Sequence, residues 1–189
     1  MTDRLFQPLK LGHGKLQHRL VMAPLTRFRA DEHNNPSEHA KLYYEQRACV
    51  PGTLIVTEAT FISPQAGGYP SIPGIWSESQ IAGWKEIVDA VHRKGSLIYL
   101  QLWALGRVAK EEVLAKGGFR VRSASAIPVA EGQTSAGGPT TVPDEMTEEE
   151  IRSFVKDYAD AARKAMKAGF DGVEIHGQFI AAFTWRFRC

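Results

Sequence analysis

The sequence predicts an α/β fold built on a parallel sheet. Strand-like runs alternate with helical patterns in the order βαβαβ, a long excursion, and then αβ. The two middle runs are almost continuously apolar, which is typical of strands buried on both faces of a parallel sheet. The predicted strands are residues 19–23, 53–59, 97–103 and 173–176.

Helix start signals follow the first two predicted strands. Asn35 is predicted to cap a helix, with Pro36 at its first position and Glu38 completing a capping box. Ser77 and Gln80 form a second capping box. These signals predict one helix after each strand.

The last predicted helix begins at a third capping box, formed by Thr147 and Glu150. It is closed by Gly169, which leads into the fourth strand. Its apolar residues recur at helical spacing and predict a buried face. That face consists of Ile151, Val155, Tyr158, Ala162 and Met166.

Residues 104–146 form the excursion, which is rich in Gly, Ser and Pro. Segments of this length inside a compact domain are usually functional lids or inserts. No repeat, charge run or linker divides the 189 residues, so a single domain with a sizeable core is expected.

The composition excludes several classes of function. Lys plus Arg number 23 against 21 Asp plus Glu, without a basic block, so neither nucleic acid nor an anionic membrane surface is expected as a partner. The sequence has no apolar signal core and no run of transmembrane length. Cys49 and Cys189 have no metal or redox spacing. We therefore expect a soluble cytoplasmic protein.

Polar or aromatic side chains stand at the carboxyl ends of the predicted strands, where a (β/α) barrel carries its active site. Each residue alone is more often structural, and the set has no metal-ligand pattern, nucleophile elbow or phosphate loop. Together they suit the binding of a flat heteroaromatic ring, with a neutral imidazole among them to hold an oxygen atom. They are Thr26, Thr60, Gln101, Trp103 and His176.

Five separated motifs resemble the old yellow enzyme family, FMN-dependent (β/α)8-barrel ene-reductases, and are similar to its fungal branch with its ergot-alkaloid members. The resemblance implies the N-terminal half of such a barrel over residues 1–177, truncated after strand four, and a non-family tail over residues 178–189. The motifs are residues 16–30, 56–60, 73–77, 101–107 and 169–177.

The same resemblance implies which residues bind the cofactor. Pro24, Leu25 and Thr26 would touch the flavin, with the Thr26 hydroxyl near its carbonyl edge. Ala59 would allow close backbone approach beside the ring. Gln101 would pair its amide with the pyrimidine edge of the flavin.

His176 is the catalytic residue that the resemblance implies: it would hydrogen-bond the carbonyl oxygen of the substrate. Trp103 would line the substrate pocket and Tyr69 would approach it, although the two could instead be core packing and a loop anchor. Glu58 and Glu174, inside apolar strands, are interpreted as structural carboxylates that require cationic partners.

The implied activity is reduction of the C=C bond of an enone, enal or quinone, with FMN as cofactor and NAD(P)H as hydride donor. The family pattern fails beyond Gly177, because Phe179 and Ala181 stand where the family has a second carbonyl donor and a proton donor. The phosphate-binding arginines of the family have no counterpart in this sequence. We therefore expect the chain as it stands to be inactive.

Two alternatives differ from this interpretation. The chain could be a non-enzymatic fragment or interaction protein from a frameshifted or mis-spliced gene, self-associating through open sheet edges. It could also be another flavin barrel, such as an amine or dihydroorotate dehydrogenase. Thr26 followed by Arg-Phe-Arg, together with Gln101-Leu102-Trp103, argues against the latter.

Overall fold

The computed structural model describes residues 2–130 and 141–177 and has the predicted α/β architecture. A hairpin precedes the sheet, and helices alternate with its strands. In chain order the elements are β1 (Leu9–Leu11), β2 (Gly14–Leu16), β3 (Val21–Met22), α1 (Glu38–Arg47), β4 (Leu54–Val56), β5 (Thr60–Phe61), α2 (Glu78–Arg93), β6 (Leu97–Trp103), α3 (Glu111–Leu114), β7 (Arg122–Ser123), β8 (Asp144–Glu145), α4 (Glu148–Ala168) and β9 (Gly172–Ile175).

The main sheet is parallel and runs β3, β4, β6, β9, the chain order that the implied half-barrel requires. β5 pairs with the end of β6 on the same side as β4. The register places Leu54 opposite Leu97 and Gln101 opposite Glu174. Parallel neighbours in chain order, joined by helices, are the arrangement of the first half of a (β/α)8 barrel.

The prediction of a continuous strand over residues 53–59 is wrong for residues 57–59, because the hydrogen-bond ladder is interrupted between β4 and β5. Thr57 N–H still donates to Tyr99 O at 2.9 Å, but the next acceptor is a side chain: Gln101 N–H donates to Thr57 Oγ1 at 3.1 Å. The first strand is also shorter than predicted, since only Val21 and Met22 pair.

The predicted Asn35 cap is also wrong. The N-cap of α1 is Ser37, whose side chain makes no capping hydrogen bond. Asn35 instead closes a turn on Asp31, donating from its backbone at 2.7 Å and from its amide at 2.9 Å. Burial raises the pKa of Asp31, but the hydrogen bonds from Asn35 and His33 outweigh it and the pKa lies below its usual value.

The other two capping boxes are confirmed. In α2, Gln80 N–H donates to Ser77 Oγ at 3.3 Å and Ser77 N–H donates back to Gln80 Oε1 at 3.1 Å. In α4, Glu150 N–H donates to Thr147 Oγ1 at 3.2 Å and Thr147 N–H to Glu150 Oε2 at 2.8 Å. Reciprocal bonds of this kind pair donors that the helix cannot satisfy itself.

The buried face of α4 is rotated from the predicted one. Val155 and Met166 are 64% and 56% exposed, so their prediction as core residues is wrong. Tyr158 and Ala162 are partly buried against the core. The face that packs against α2 and the sheet carries three alanines, whose small side chains allow close helix approach. Its buried members are Ile151, Phe154, Ala161, Ala165 and Ala168.

The main core lies between the sheet and the helices and is centred on Trp84. Its indole is fully buried, donates to Gly74 O at 3.0 Å, and lies edge-on to Phe170 with ring centroids 5.6 Å apart.

Among the described residues, no helix is both long and apolar enough to cross a membrane. The same residues contain no cluster of three or more His, Cys, Asp or Glu side chains suited to a metal ion.

The described part of the excursion contains α3 and the parallel pair of β7 and β8. Residues 131–140 of the excursion and the tail after Gly177 lie outside the described residues. The excursion packs beside the carboxyl ends of the strands through Leu114 and Val121, which join a second buried cluster there.

Candidate functional site

The pairing of β6 with β9 brings three of the predicted site residues together. Leu102 lies opposite Ile175, and the ladder continues one residue further because His176 N–H donates to Leu102 O at 3.1 Å. His176 therefore leaves the sheet beside Gln101 and Trp103, although it is far from them in sequence. This is the rim formed by the carboxyl ends of the strands.

The Gln101 amide is held by the neighbouring strand. Its side chain is 6% exposed, and its Nε2 donates to Glu174 Oε1 at 2.7 Å. An amide carries two N–H donors and a carbonyl acceptor. After this bond, one N–H and the carbonyl oxygen remain available for a ligand. That pair can meet an acceptor and a donor standing side by side on a ligand.

The His176 imidazole lies against an aromatic cluster. Its ring is stacked on Trp103 with centroids 5.9 Å apart and planes at 28°. Trp103 is itself stacked on Phe61 at 5.5 Å and meets the edge of Tyr69 at 6.0 Å. Stacking on a buried indole restricts the imidazole to a narrow range of orientations.

Tyr69 and Trp103 are 7% and 8% exposed and belong to the second core cluster. Both side chains therefore pack in this cluster, whether or not they also contact a ligand. Phe28, which the sequence analysis did not select, extends the cluster: its ring lies 6.3 Å from Tyr69 and is 53% exposed. Its φ of 54° is unusual for a bulky residue, and nothing in the local sequence signals it.

The segment after β3 carries the other three predicted cofactor residues. Pro24 is half-buried, whereas Leu25 and Thr26 are exposed. They lie beyond the carboxyl end of β3, on the same end of the sheet as Gln101 and His176. Thr26 therefore has a hydroxyl open to a ligand.

Arg27 and Glu58 form a buried ion pair beneath this segment. Arg27 Nε donates to Glu58 Oε1 at 3.1 Å and Nη2 donates to the same oxygen at 2.5 Å. Tyr44 also donates to Oε1, at 3.4 Å. Burial, followed by the charge of Glu58, raises the pKa of the Tyr44 hydroxyl. The interpretation of Glu58 as a structural carboxylate with a cationic partner is confirmed.

A cationic partner was also predicted for Glu174. Among the described residues, its oxygen instead accepts a hydrogen bond from the Gln101 amide. Among the remaining candidates, Ala59 is 3% exposed and lies at the break between β4 and β5. Thr60 is fully buried, and its hydroxyl donates to Glu58 O at 3.0 Å. Thr60 thus has a structural role.

A cavity of about 620 Å³ lies beside the rim, between the segment after β5 and α3. Tyr69, Phe61 and Trp76 line it, whereas Gln101 and His176 are not among its lining residues. This cavity is therefore adjacent to the candidate site and not part of it.

The side chains at the rim fit a flavin ring. The unused donor and acceptor of Gln101 match the alternating carbonyl and N–H groups of its pyrimidine edge. Ala59 carries a small side chain, and the exposed Thr26 can donate its hydroxyl to a ring carbonyl. These residues could hold FMN.

The fold and the rim define a half of a (β/α)8 barrel with a polar site at the carboxyl ends of its strands. Residues 4–179 match the NADH:flavin oxidoreductase / NADH oxidase family, and the chain belongs to that family. The old yellow enzyme resemblance and the barrel fold predicted from the sequence are both confirmed.

Fungal oxidoreductases are among the curated relatives. The chain is 60% identical over 177 residues to the NADP-dependent oxidoreductase lnbE of Aspergillus flavus, covering 94% of this chain and 45% of lnbE. It is 52% identical over 185 residues to the chanoclavine-I aldehyde reductase fgaOx3 of Penicillium roqueforti, covering 96% and 48%. The chain thus spans about half the length of the curated relatives it matches.

Among solved structures, the old yellow enzyme homologue from Zymomonas mobilis superposes with a TM-score of 0.81 at 43% identity. The match covers 90% of this chain and 47% of that one.

Proposed function

We propose that residues 4–177 supply the flavin ring contacts and the substrate-polarising residue of an NAD(P)H-dependent FMN oxidoreductase. The reaction is reduction of the C=C bond of an α,β-unsaturated carbonyl compound, in which the β-carbon gains a hydride and the α-carbon gains a proton from solvent. The observation that carries the proposal is the β6–β9 register, which sets the His176 imidazole beside the Gln101 amide and against the Trp103 ring. Family membership gives the flavin chemistry independent support.

FMN, when bound, supplies two-electron hydride chemistry between NAD(P)H and the substrate. Gln101 binds the pyrimidine edge of the ring, and Thr26 donates to a ring carbonyl from the segment after β3. Pro24, Leu25 and Ala59 pack against the ring. These contacts bind the cofactor and orient it toward His176.

His176 donates a hydrogen bond to the substrate carbonyl oxygen. Negative charge grows on that oxygen as the β-carbon gains a hydride, so the hydrogen bond strengthens in the transition state. Stacking on Trp103 holds the donor in place before the substrate arrives. Trp103 and Tyr69 provide the apolar side of the substrate site and exclude water.

The substrate class is an enal, enone or quinone, since each has an oxygen for His176 and an electrophilic carbon. An aldehyde is supported by the name of the chanoclavine-I aldehyde reductase relative. The NADP-dependent relative supports NADPH as the donor.

The test uses a completed barrel, defined as residues 1–177 followed by the part of lnbE that lies beyond its match to this chain. Purified completed barrel should be yellow, and it should oxidise NADPH when cinnamaldehyde or cyclohexenone is added. Colourless folded protein that leaves NADPH unchanged would contradict the proposal.

A second candidate function, association through sheet edges, is favoured by the outer strands. Val21 in β3 and Ile175 in β9 are each 47% exposed, and a parallel strand edge with exposed apolar residues can pair with another chain. Sedimentation of the 189-residue chain distinguishes this candidate, because a monodisperse monomer would exclude it.

A further inference from the structure

The largely buried side chain of Arg27 anchors the segment that carries Thr26. β3 ends at Met22, and among the described residues the next backbone hydrogen bond along the segment is donated by Ala30 to Ser71 O at 3.1 Å. Between these two points, the side chain of Arg27 is bound beneath the segment. The position of Thr26 therefore depends on what Arg27 contacts.

Arg27 is held on two sides. Its Nε and Nη2 donate to Glu58 Oε1, and the guanidinium carbon lies 3.9 Å from the centre of the Tyr43 ring and 5.0 Å from that of Tyr44. The Arg27 and Glu58 side chains are 13% and 3% exposed. A planar guanidinium between a ring and a carboxylate is fixed in direction, and lysine cannot reproduce that geometry.

Glu58 is fixed in turn. Its N–H donates to Tyr44 Oη at 2.8 Å, and its carbonyl oxygen accepts from the hydroxyls of Thr57 and Thr60, both at 3.0 Å. These bonds hold Glu58 at the break between β4 and β5. Ala59, which follows directly, shares that fixed backbone.

We propose that Arg27 and Glu58 are positioning residues that set the distance between the two segments contacting the flavin. Thr26 directly precedes Arg27 and Ala59 directly follows Glu58, so one ion pair joins both segments. This inference rests on the proposed function. A preformed segment loses less conformational freedom when it binds a ligand, so the pair raises affinity for the flavin without touching it.

Three variants test the proposal. Arg27→Met keeps the alkyl stem but removes the donors, while Glu58→Gln keeps an oxygen acceptor for Arg27. The double variant Arg27→Met/Glu58→Gln avoids an unpaired buried carboxylate and decides the outcome if Arg27→Met does not fold. The matched control is Ile87→Val, which weakens the main core without removing an atom of the ion pair.

The first measurement is the backbone order parameter of Thr26 by nitrogen-15 relaxation in the flavin-free completed barrel. It should fall from about 0.85 to below about 0.6 in Arg27→Met and in the double variant, the range that separates rigid from flexible backbone. Glu58→Gln and Ile87→Val should leave it near the starting value. An unchanged Thr26 value in the double variant, or an equal fall in Ile87→Val, would overturn the positioning role.

The second measurement is FMN affinity of the completed barrel by flavin fluorescence. Affinity should fall about tenfold in the double variant, the factor expected for losing a charge-assisted hydrogen bond, and less in Glu58→Gln. A completed barrel that binds no FMN before mutation contradicts the proposed function, and the Thr26 order parameter then decides the positioning role by itself. Normal affinity in the double variant contradicts the inference alone.

Discussion

Gln101 Nε2 donates to Glu174 Oε1 at 2.7 Å across the β6–β9 pair. An unbound amide can exchange its NH₂ group and its oxygen by a half-turn with little change in shape. A carboxylate accepts hydrogen bonds and does not donate them, so it pairs only with the NH₂ group. Glu174 therefore fixes which end of the Gln101 amide faces a ligand.

The first prediction concerns Glu174. In the completed barrel, Glu174→Ala should weaken FMN binding by roughly 1–2 kcal/mol, because the amide loses the hydrogen bond that orients it. Glu174→Gln is the matched control, since it keeps an oxygen acceptor of the same reach and should lose less. Fluorescence titration with FMN measures both, and equal affinities for the three proteins would count against this role.

The second prediction separates His176 from the flavin contacts. In the completed barrel, His176→Ala should slow enone reduction by roughly 2.7–4 kcal/mol in the chemical step, the cost of removing one donor to a developing oxyanion. The variant should also bind phenolic ligands more weakly, while its flavin content stays near normal. Flavin absorbance per mole of protein and steady-state NADPH oxidation are the measurements. Lost flavin with retained turnover would reverse the roles.

The third prediction compares two helix starts. Thr147→Ala should lower the free energy of unfolding by about 1 kcal/mol, because it removes the acceptor for Glu150 N–H. Ser37→Ala should change it by less than about 0.5 kcal/mol, since the Ser37 side chain makes no capping hydrogen bond. Urea denaturation of the 189-residue chain compares the two, and equal losses would contradict the assignment of the caps.

The fourth prediction is a loss of stability in alkali. Burial raises the pKa of Tyr158 from 10.0 to about 12, so between these values the unfolded chain releases a proton that the folded chain keeps. The free energy of unfolding should therefore fall as pH rises from about 10 to 12, by an amount of order 2 kcal/mol for this group. Tyr158→Phe should flatten the slope, measured by denaturation at several pH values. An unchanged slope would show that other groups, such as Tyr44, account for it.

The fifth prediction concerns the 189-residue chain by itself. It should neither bind FMN tightly nor reduce enones, and it should associate, since Val21 and Ile175 are exposed on the outer strands of the described sheet. FMN titration, an NADPH assay and sedimentation are the measurements, with the completed barrel as control. Stoichiometric bound FMN with enone reduction would contradict this expectation.

Local sequence determined the features whose cause is local. Reciprocal hydrogen bonds within four residues made the boxes at Ser77 and Thr147 predictable, and the continuous apolar run of β6 was predicted at its full length, Leu97–Trp103. The family motifs were recognisable in the sequence, and the order of the parallel strands followed from the resemblance that they carry.

Other features required partners distant in sequence. Asn35 is an exception: it looked like a cap, but its backbone and its amide bond Asp31, only four residues away, in a competing local turn. Val155 and Met166 fit a helical stripe, yet the face that packs is set by the neighbouring α2 and sheet. Periodicity gives a helix its apolar side only approximately, and the opposing surface selects the residues that are buried.

The sequence by itself determined the α/β class, the barrel family, and the strand ends at which polar residues gather. Only the tertiary structure decided how those residues are held: Gln101 by Glu174, His176 against Trp103, and the Thr26 segment by Arg27 on Glu58. The physical reason is that strand character depends on the residues of one segment. Side-chain orientation at a rim depends instead on hydrogen bonds and stacking between segments that meet only when the sheet forms.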